Sequence, residues 1–139
     1  MSRRSVSRSI VLTLVGGLAA CSADENQSAA SAVPAKDSGE AIYGENCVPC
    51  HREDGKGVPT VYPSLSQSPV VNGDPAELAR WVLAGKRPAS MPAGRYSAQM
   101  LQFGWMKDSQ AAALLTYLRS HFENSSPPVD AATVAAARR

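Results

Sequence analysis

The sequence predicts an all-α fold: three to four short helices joined by long loops. Three observations carry this. Apolar residues recur at helical spacing in separate stretches, each bounded by capping residues. No stretch alternates apolar and polar residues with the period of a strand. The connecting stretches, 51 to 73 and 86 to 105, are rich in Gly, Pro and Ser and read as loop.

Residues 1–20 stand apart from the fold. Arg3, Arg4 and Arg8 form a basic start, and Ile10 to Ala20 is an apolar run too short to span a bilayer. It ends in Leu18-Ala19-Ala20, directly before Cys21. This pattern is expected to be a cleaved export signal. Its ending resembles the lipobox of bacterial lipoproteins, which implies that Cys21 carries a diacylglycerol. Residues 21–37 are rich in Ser, Ala, Asn and Gln and read as a flexible lipidated tether. Such a segment reaches roughly 20–25 Å. The formal charge of +2 changes once the signal is removed. Three of fourteen basic residues leave with it, and eleven remain against twelve acidic ones, a net −1. No nucleic-acid partner is suggested.

The ordered domain is expected over residues 38–124. A first helix covers Gly39 to Asn46, with Ser38 as cap and Ala41, Ile42 and Tyr43 as its apolar face. A second begins at Asp74-Pro75-Ala76-Glu77, where Asp74 can cap and Pro75 suits the first helical position. Leu78, Trp81 and Val82 follow at helical spacing, and Gly85 ends it. The last strong helix runs from about Asp108 to Phe122, with Ala111, Leu115, Leu118 and Phe122 on one face. Residues 125–139 form a Pro/Ala-rich tail, either a weak helix or disordered. Three short helices give too small a core to stand comfortably alone. A large apolar cofactor in the middle would resolve this, with the loops wrapping it.

Cys47-Val48-Pro49-Cys50-His51 supplies the cofactor chemistry. Two thiols two residues apart, followed at once by imidazole, match c-type haem attachment. Each thiol adds across one haem vinyl group, and the adjacent histidine ligates the iron through Nε2. A structural zinc site needs four ligands, and only His121 and Cys21 remain to complete one. A redox dithiol would sit in a βαβ pattern, which the sequence lacks.

The surrounding residues carry a family resemblance. Gly39-Glu40-Ala41-Ile42-Tyr43, Asn46 to His51, Asp54-Gly55-Lys56-Gly57, Tyr62-Pro63-Ser64-Leu65, Val70-Val71, Val82-Leu83-Ala84-Gly85 and Leu114 to Ser120 resemble a class I cytochrome c domain. They look more closely like the domains in cytochrome c subunits of bacterial alcohol and aldehyde dehydrogenases. The resemblance implies a helical bundle whose first and last helices cross, around one covalent haem c with an exposed edge. It also implies that the Pro63 carbonyl accepts a hydrogen bond from the ligating histidine. The second axial ligand has two candidates. Met100-Leu101-Gln102-Phe103-Gly104-Trp105 is similar to the family's ligand segment and lies at the expected distance before the last helix, although Leu101 replaces the expected Pro. Met91-Pro92 has the family's dipeptide but comes early. Met106 is expected to pack. Phe103, Trp105 and Tyr62 are expected to line the haem crevice, and Trp81 to belong to the core.

His/Met ligation leaves no iron position for oxygen or substrate, so the expected role is one-electron transfer rather than catalysis. The resemblance implies a periplasmic dehydrogenase as donor and an oxidase or quinone-linked acceptor. It places the protein on the periplasmic side, with the outer membrane slightly favoured because Ser22 rather than Asp follows Cys21. The alternatives are a haem enzyme or ligand sensor with an open sixth position, and a scaffold with a zinc clip. Between Glu77 and Asp108 there is no acidic residue, but Arg80, Lys86, Arg87, Arg95 and Lys107 occur. They form either a docking rim for an acidic partner or an ordinary solvated surface.

Overall fold

Ser38 starts the first helix of the computed structural model, which describes residues 35–91 and 94–139. The expected export signal, Cys21 and most of the tether lie outside the described residues. Ala35–Asp37 forms a single 3₁₀ turn. Helix α1, Gly39–Asn46, begins where Ser38 Oγ accepts from the Ala41 N–H at 3.2 Å. It buries Ile42 and Tyr43. Helix α2, Val48–His51, follows after one residue, Cys47. Helix α3, Pro69–Asn72, is a single turn capped by Ser68, whose side chain accepts from the Val71 N–H.

Helix α4, Pro75–Ala84, opens where Asp74 accepts from Ala76 and Glu77 N–H groups at 2.8 and 2.9 Å. It closes on Gly85 in the left-handed region, as a C-terminal glycine should. Helix α5, Asp108–Ser120, is shorter than the sequence suggests. His121 is extended, and Phe122 and Glu123 take left-handed conformations, so the helix stops two residues before Phe122. Among the described residues there is no strand, only an isolated bridge between Val58 and Tyr62.

Helices α1 and α5 make the most extensive helix pair. Gly39 allows it: a Cβ there would collide with the Ala113 carbonyl and the Tyr117 side chain. Tyr43 then packs its ring 5.5 Å from that of Tyr117 and 4.9 Å from that of Phe122. The core continues through Leu114 and Leu115 of α5, Leu78 and Val82 of α4 and Val71 of α3. Each such side chain contributes about 1.5–3 kcal/mol by leaving water.

The segment after α5 is part of this core, not a tail outside a domain ending at residue 124. Helix α6, Ala131–Ala137, starts where Asp130 accepts from the Thr133 N–H at 2.7 Å. It buries Val134 and Ala137 against α4 and α5. An alanine-rich helix of this length gains little by itself. Its stability comes from docking, which its own seven residues do not reveal. The 3₁₀ turn joins the domain as well, since Gln110 donates to Asp37 at 2.7 Å.

Candidate haem site

Cys47 closes α1 and opens α2, so the two thiols and the imidazole sit on one short turn. The His51 N–H donates to the Cys47 carbonyl at 2.8 Å, and Cys50 donates to the same oxygen at 3.1 Å. A separation of three residues in a helical turn puts Cys47 and Cys50 on one side. Both are free thiols. Burial pushes the Cys47 thiol up to about 12, with Cys50 adding to the effect.

Immediately after His51 the chain must reverse. Arg52 adopts φ 68°, and its carbonyl accepts from the Tyr43 hydroxyl at 2.6 Å. The Gly57 N–H donates back to the His51 carbonyl at 3.0 Å. Residues 58–62 fold over on the Val58–Tyr62 bridge. This return brings the Pro63 carbonyl to 3.0 Å from His51 Nδ1. A carbonyl can only accept, so Nδ1 carries the hydrogen and Nε2 keeps its lone pair. Burial lowers the affinity of His51 for a second proton, and the Pro63 bond opposes this only in part. The imidazole is therefore held neutral, in the tautomer that a metal requires of Nε2.

His51, Cys47 and Cys50 line a crevice of about 370 Å³. One wall comes from residues 46–71, including Tyr62, Pro63 and Leu65. The other comes from residues 78–103, including Leu78, Trp81, Val82, Met91, Met100 and Phe103. Leu114 and Leu118 of α5 complete it. Both methionine candidates thus reach the crevice, while Met106 is buried in the core away from it.

Two aromatic side chains differ from expectation. Trp105 stands outside the crevice at 67 % exposure, its ring edge-on to that of Phe103 with centroids 6.4 Å apart. The turn explains it. Met106 N–H donates to the Phe103 carbonyl, and Phe103 and Met106 both turn inward, which directs the intervening Trp105 to solvent. Trp81 lines the crevice because it shares the inner face of α4 with Leu78 and Val82. Arg87 places its guanidinium 5.7 Å from the centre of that indole ring.

Sequence reasoning missed two residues that shape the crevice. Arg119 is buried and donates to three carbonyls: Val71 at 2.7 Å, Gly73 at 2.8 Å and Pro127 at 2.8 Å. Asn124 is buried too, donating to Leu65 and Leu118 carbonyls and accepting from Ser68 and Asn72. Together they pin the Leu65–Gly73 stretch, with Leu65, Val70 and Val71 of the crevice wall, onto α5. The available signal was an arginine beside Leu115 and Leu118 on an otherwise apolar helix face.

These residues fit a covalently held haem. The crevice offers two thiols on one turn, an imidazole with a fixed tautomer, a thioether on the second wall and an apolar lining. Among the described residues no group of three or more His, Cys, Asp or Glu side chains is arranged to hold a bare metal ion. An all-α fold with this crevice is the arrangement of a c-type haem protein. A family model described as cytochrome c matches residues 37–122, more than half of the chain, and the protein belongs to that family. The gluconate 2-dehydrogenase cytochrome c subunit of Pantoea cypripedii is 29 % identical over 105 residues, covering 73 % of this chain and 24 % of its own length. The cytochrome c subunit of the quinone alcohol dehydrogenase of Gluconobacter oxydans (strain 621H) is 32 % identical over 91 residues, 64 % of this chain and 19 % of its own length. The chain therefore spans about a quarter or less of these relatives. Both relatives are named as cytochrome c subunits of dehydrogenases, and this chain shares with them the cytochrome c family, a family of electron-transfer proteins.

Proposed function

We propose that this chain is a lipid-anchored mono-haem electron carrier on the periplasmic side of a bacterial membrane, with His51 and Met100 as axial ligands. Cys47 and Cys50 form the thioether bonds, and Cys21 carries the lipid. The observation that carries the reading is the Nδ1 hydrogen bond from His51 to the Pro63 carbonyl beside two thiols in one crevice. When bound, the haem iron supplies the one-electron redox couple. The protein's part is to hold both axial ligands in place, so that little rearranges between oxidation states. A thioether partner favours the ferrous state and raises the potential.

The backbone favours Met100 over Met91. Ala98 donates to the Val61 carbonyl at 3.3 Å and Phe103 to the Val82 carbonyl at 3.1 Å, so Met100 lies in a short span fixed at both ends to separate walls. Among the described residues, Met91 has only a local bond to the Pro88 carbonyl. The names of the relatives support a dehydrogenase as electron donor, and the acceptor we propose is an oxidase or quinone-linked protein. The Leu-Ala-Ala-Cys ending of residues 18–21 supports the anchor, and Ser22 slightly favours the outer membrane.

The test is the optical spectrum of the purified holoprotein, ferric and ferrous, with and without carbon monoxide. The expected result is a low-spin iron with a weak near-infrared thioether band and no response to carbon monoxide. Met100→Ala abolishes the band, and Met91→Ala preserves it. A high-spin iron that binds carbon monoxide would overturn the carrier reading in favour of an enzyme or ligand sensor.

A further inference from the structure

Beyond α5 the chain turns back and runs along that helix from its C-terminal to its N-terminal end. Three sets of bonds mark its course. The Ser126 N–H donates to the Arg119 carbonyl at 2.9 Å. Val129 exchanges hydrogen bonds with the Thr116 hydroxyl, donating at 3.0 Å and accepting at 3.2 Å. Arg138 reaches Asp108, the first residue of α5, at 2.6 Å. Between the last two, α6 buries Val134 and Ala137. This strap, residues 123–139, lies beyond the residues that the cytochrome c family model matches.

Its far end does more than form an ion pair. The same Arg138 guanidinium donates to the Gly104 carbonyl at 3.0 Å and to the Met106 carbonyl. A single surface ion pair is worth little. A guanidinium spread over a carboxylate and two carbonyls fixes a geometry, because its donors form a rigid fork. What it fixes is the turn between Phe103 and α5. That turn is held from the other side by the Phe103 bond to Val82, and Gly104 sits close against the Leu83 carbonyl. Met100 is three residues before Phe103. The Met100 span therefore ends in a turn gripped between α4 and the strap.

We propose that the 123–139 strap is a positioning element for the sixth iron ligand, with Arg138 holding the 104–108 turn so that the Met100 thioether stays on the iron. The proposal rests on the Met100 reading given above. The strap acts through the turn and touches neither iron nor ligand. Loosening the turn should leave haem attachment and the fold in place. It should also make the thioether easier to displace.

The experiment measures imidazole binding to the ferric, full-length holoprotein by the loss of the near-infrared thioether band. Exogenous imidazole competes directly with the thioether, so its affinity reports how firmly Met100 is held. Arg138→Ala is expected to tighten imidazole binding about tenfold, the scale of a modest coupling between distant groups. Arg138→Lys should restore only part of this, since one ammonium cannot span three acceptors. Asp108→Asn, which loosens the same grip without shortening the arginine, gives a second reading if Arg138→Ala expresses poorly, and should shift affinity in the same direction. Met100→Ala separates the two ways of failing. If Met100→Ala leaves the thioether band intact, the ligand reading falls and the proposal with it. If Met100→Ala abolishes the band, but Arg138→Ala and Asp108→Asn stay within twofold of the unmodified protein, the ligand reading stands and the strap proposal is overturned.

Discussion

Gly57 is the residue on which the orientation of His51 turns. Its φ is +65°, and a Cβ there would stand 2.5 Å from both the Tyr62 and Pro63 carbonyl oxygens. No real Cβ contact is that short, and both obstacles are backbone. Gly57→Ala therefore meets two costs. Placing an alanine in the left-handed region costs about 1–2 kcal/mol. Moving the two carbonyls away strains the 58–62 reversal and weakens the His51 Nδ1–H to Pro63 bond, a further ~1 kcal/mol. The sum, about 2–3 kcal/mol, should appear as a lower urea midpoint with an unchanged slope. A second readout isolates the site. A hydrogen bond from Nδ1–H makes the imidazole a stronger donor at Nε2 and favours the ferric state. Weakening it should raise the reduction potential by roughly 20–65 mV, the one-electron equivalent of a hydrogen bond worth about 0.5–1.5 kcal/mol. Gly57→Ala with an unmoved potential would refute the idea that this return loop sets the imidazole. A loss of stability alone would show only strain.

Two other expectations follow from the same geometry. Arg119→Leu should destabilise by about 2–4 kcal/mol in thermal or denaturant unfolding, because the Val71, Gly73 and Pro127 carbonyls lose their common donor in a buried place; a change under 1 kcal/mol would mean that water replaces the guanidinium there. The wall built from residues 78–103 belongs to a stretch with five basic residues and no acid between Glu77 and Asp108. The second-order rate of electron transfer to an acidic redox partner should accordingly fall as ionic strength rises, and Arg95→Glu should lower it further. A rate that stays flat with salt would reduce those charges to a solvated surface.

Local chemistry was legible. Ser38, Asp74 and Gly85 act through hydrogen bonds or backbone conformations within three or four residues of themselves, and all three perform the capping expected of them. The Cys47–His51 run was legible for the same reason, since one turn of helix brings its groups together. What could not be read depends on distant partners. Residues 131–137 look like a weak helix because their stability resides in α4 and α5. Trp105 looks like a crevice residue because Phe103, two residues before it, is one. Only the turn at Gly104 shows that Phe103 and Met106 take the inner positions and leave it outside. Arg119 reads as an ordinary helix-surface charge until three carbonyls from elsewhere in the chain close around it.

The same division runs through the crevice. The turn and return loop that carry His51 are held by bonds of short reach, Tyr43 to Arg52, Gly57 to His51 and His51 to Pro63, while the 65–73 part of the same wall is pinned to α5 by Arg119 and Asn124. On the other wall, the loop from residue 86 to 103 is held by Thr60 and Val61 of the first wall and by Val82 of α4, and the turn that follows it by Arg138. On the ligation proposed above, attachment and the first axial ligand therefore depend on a compact stretch held by short-range bonds. The second ligand depends on how the rest of the domain packs. If Met100 is the ligand as proposed, substitutions in α4, α6 or the 104–108 turn change how firmly its thioether is held without disturbing the covalent link. Substitutions near Gly57 act on the imidazole instead. On the proposed ligation, the potential is therefore open to adjustment from the second wall while the cofactor is kept through the first.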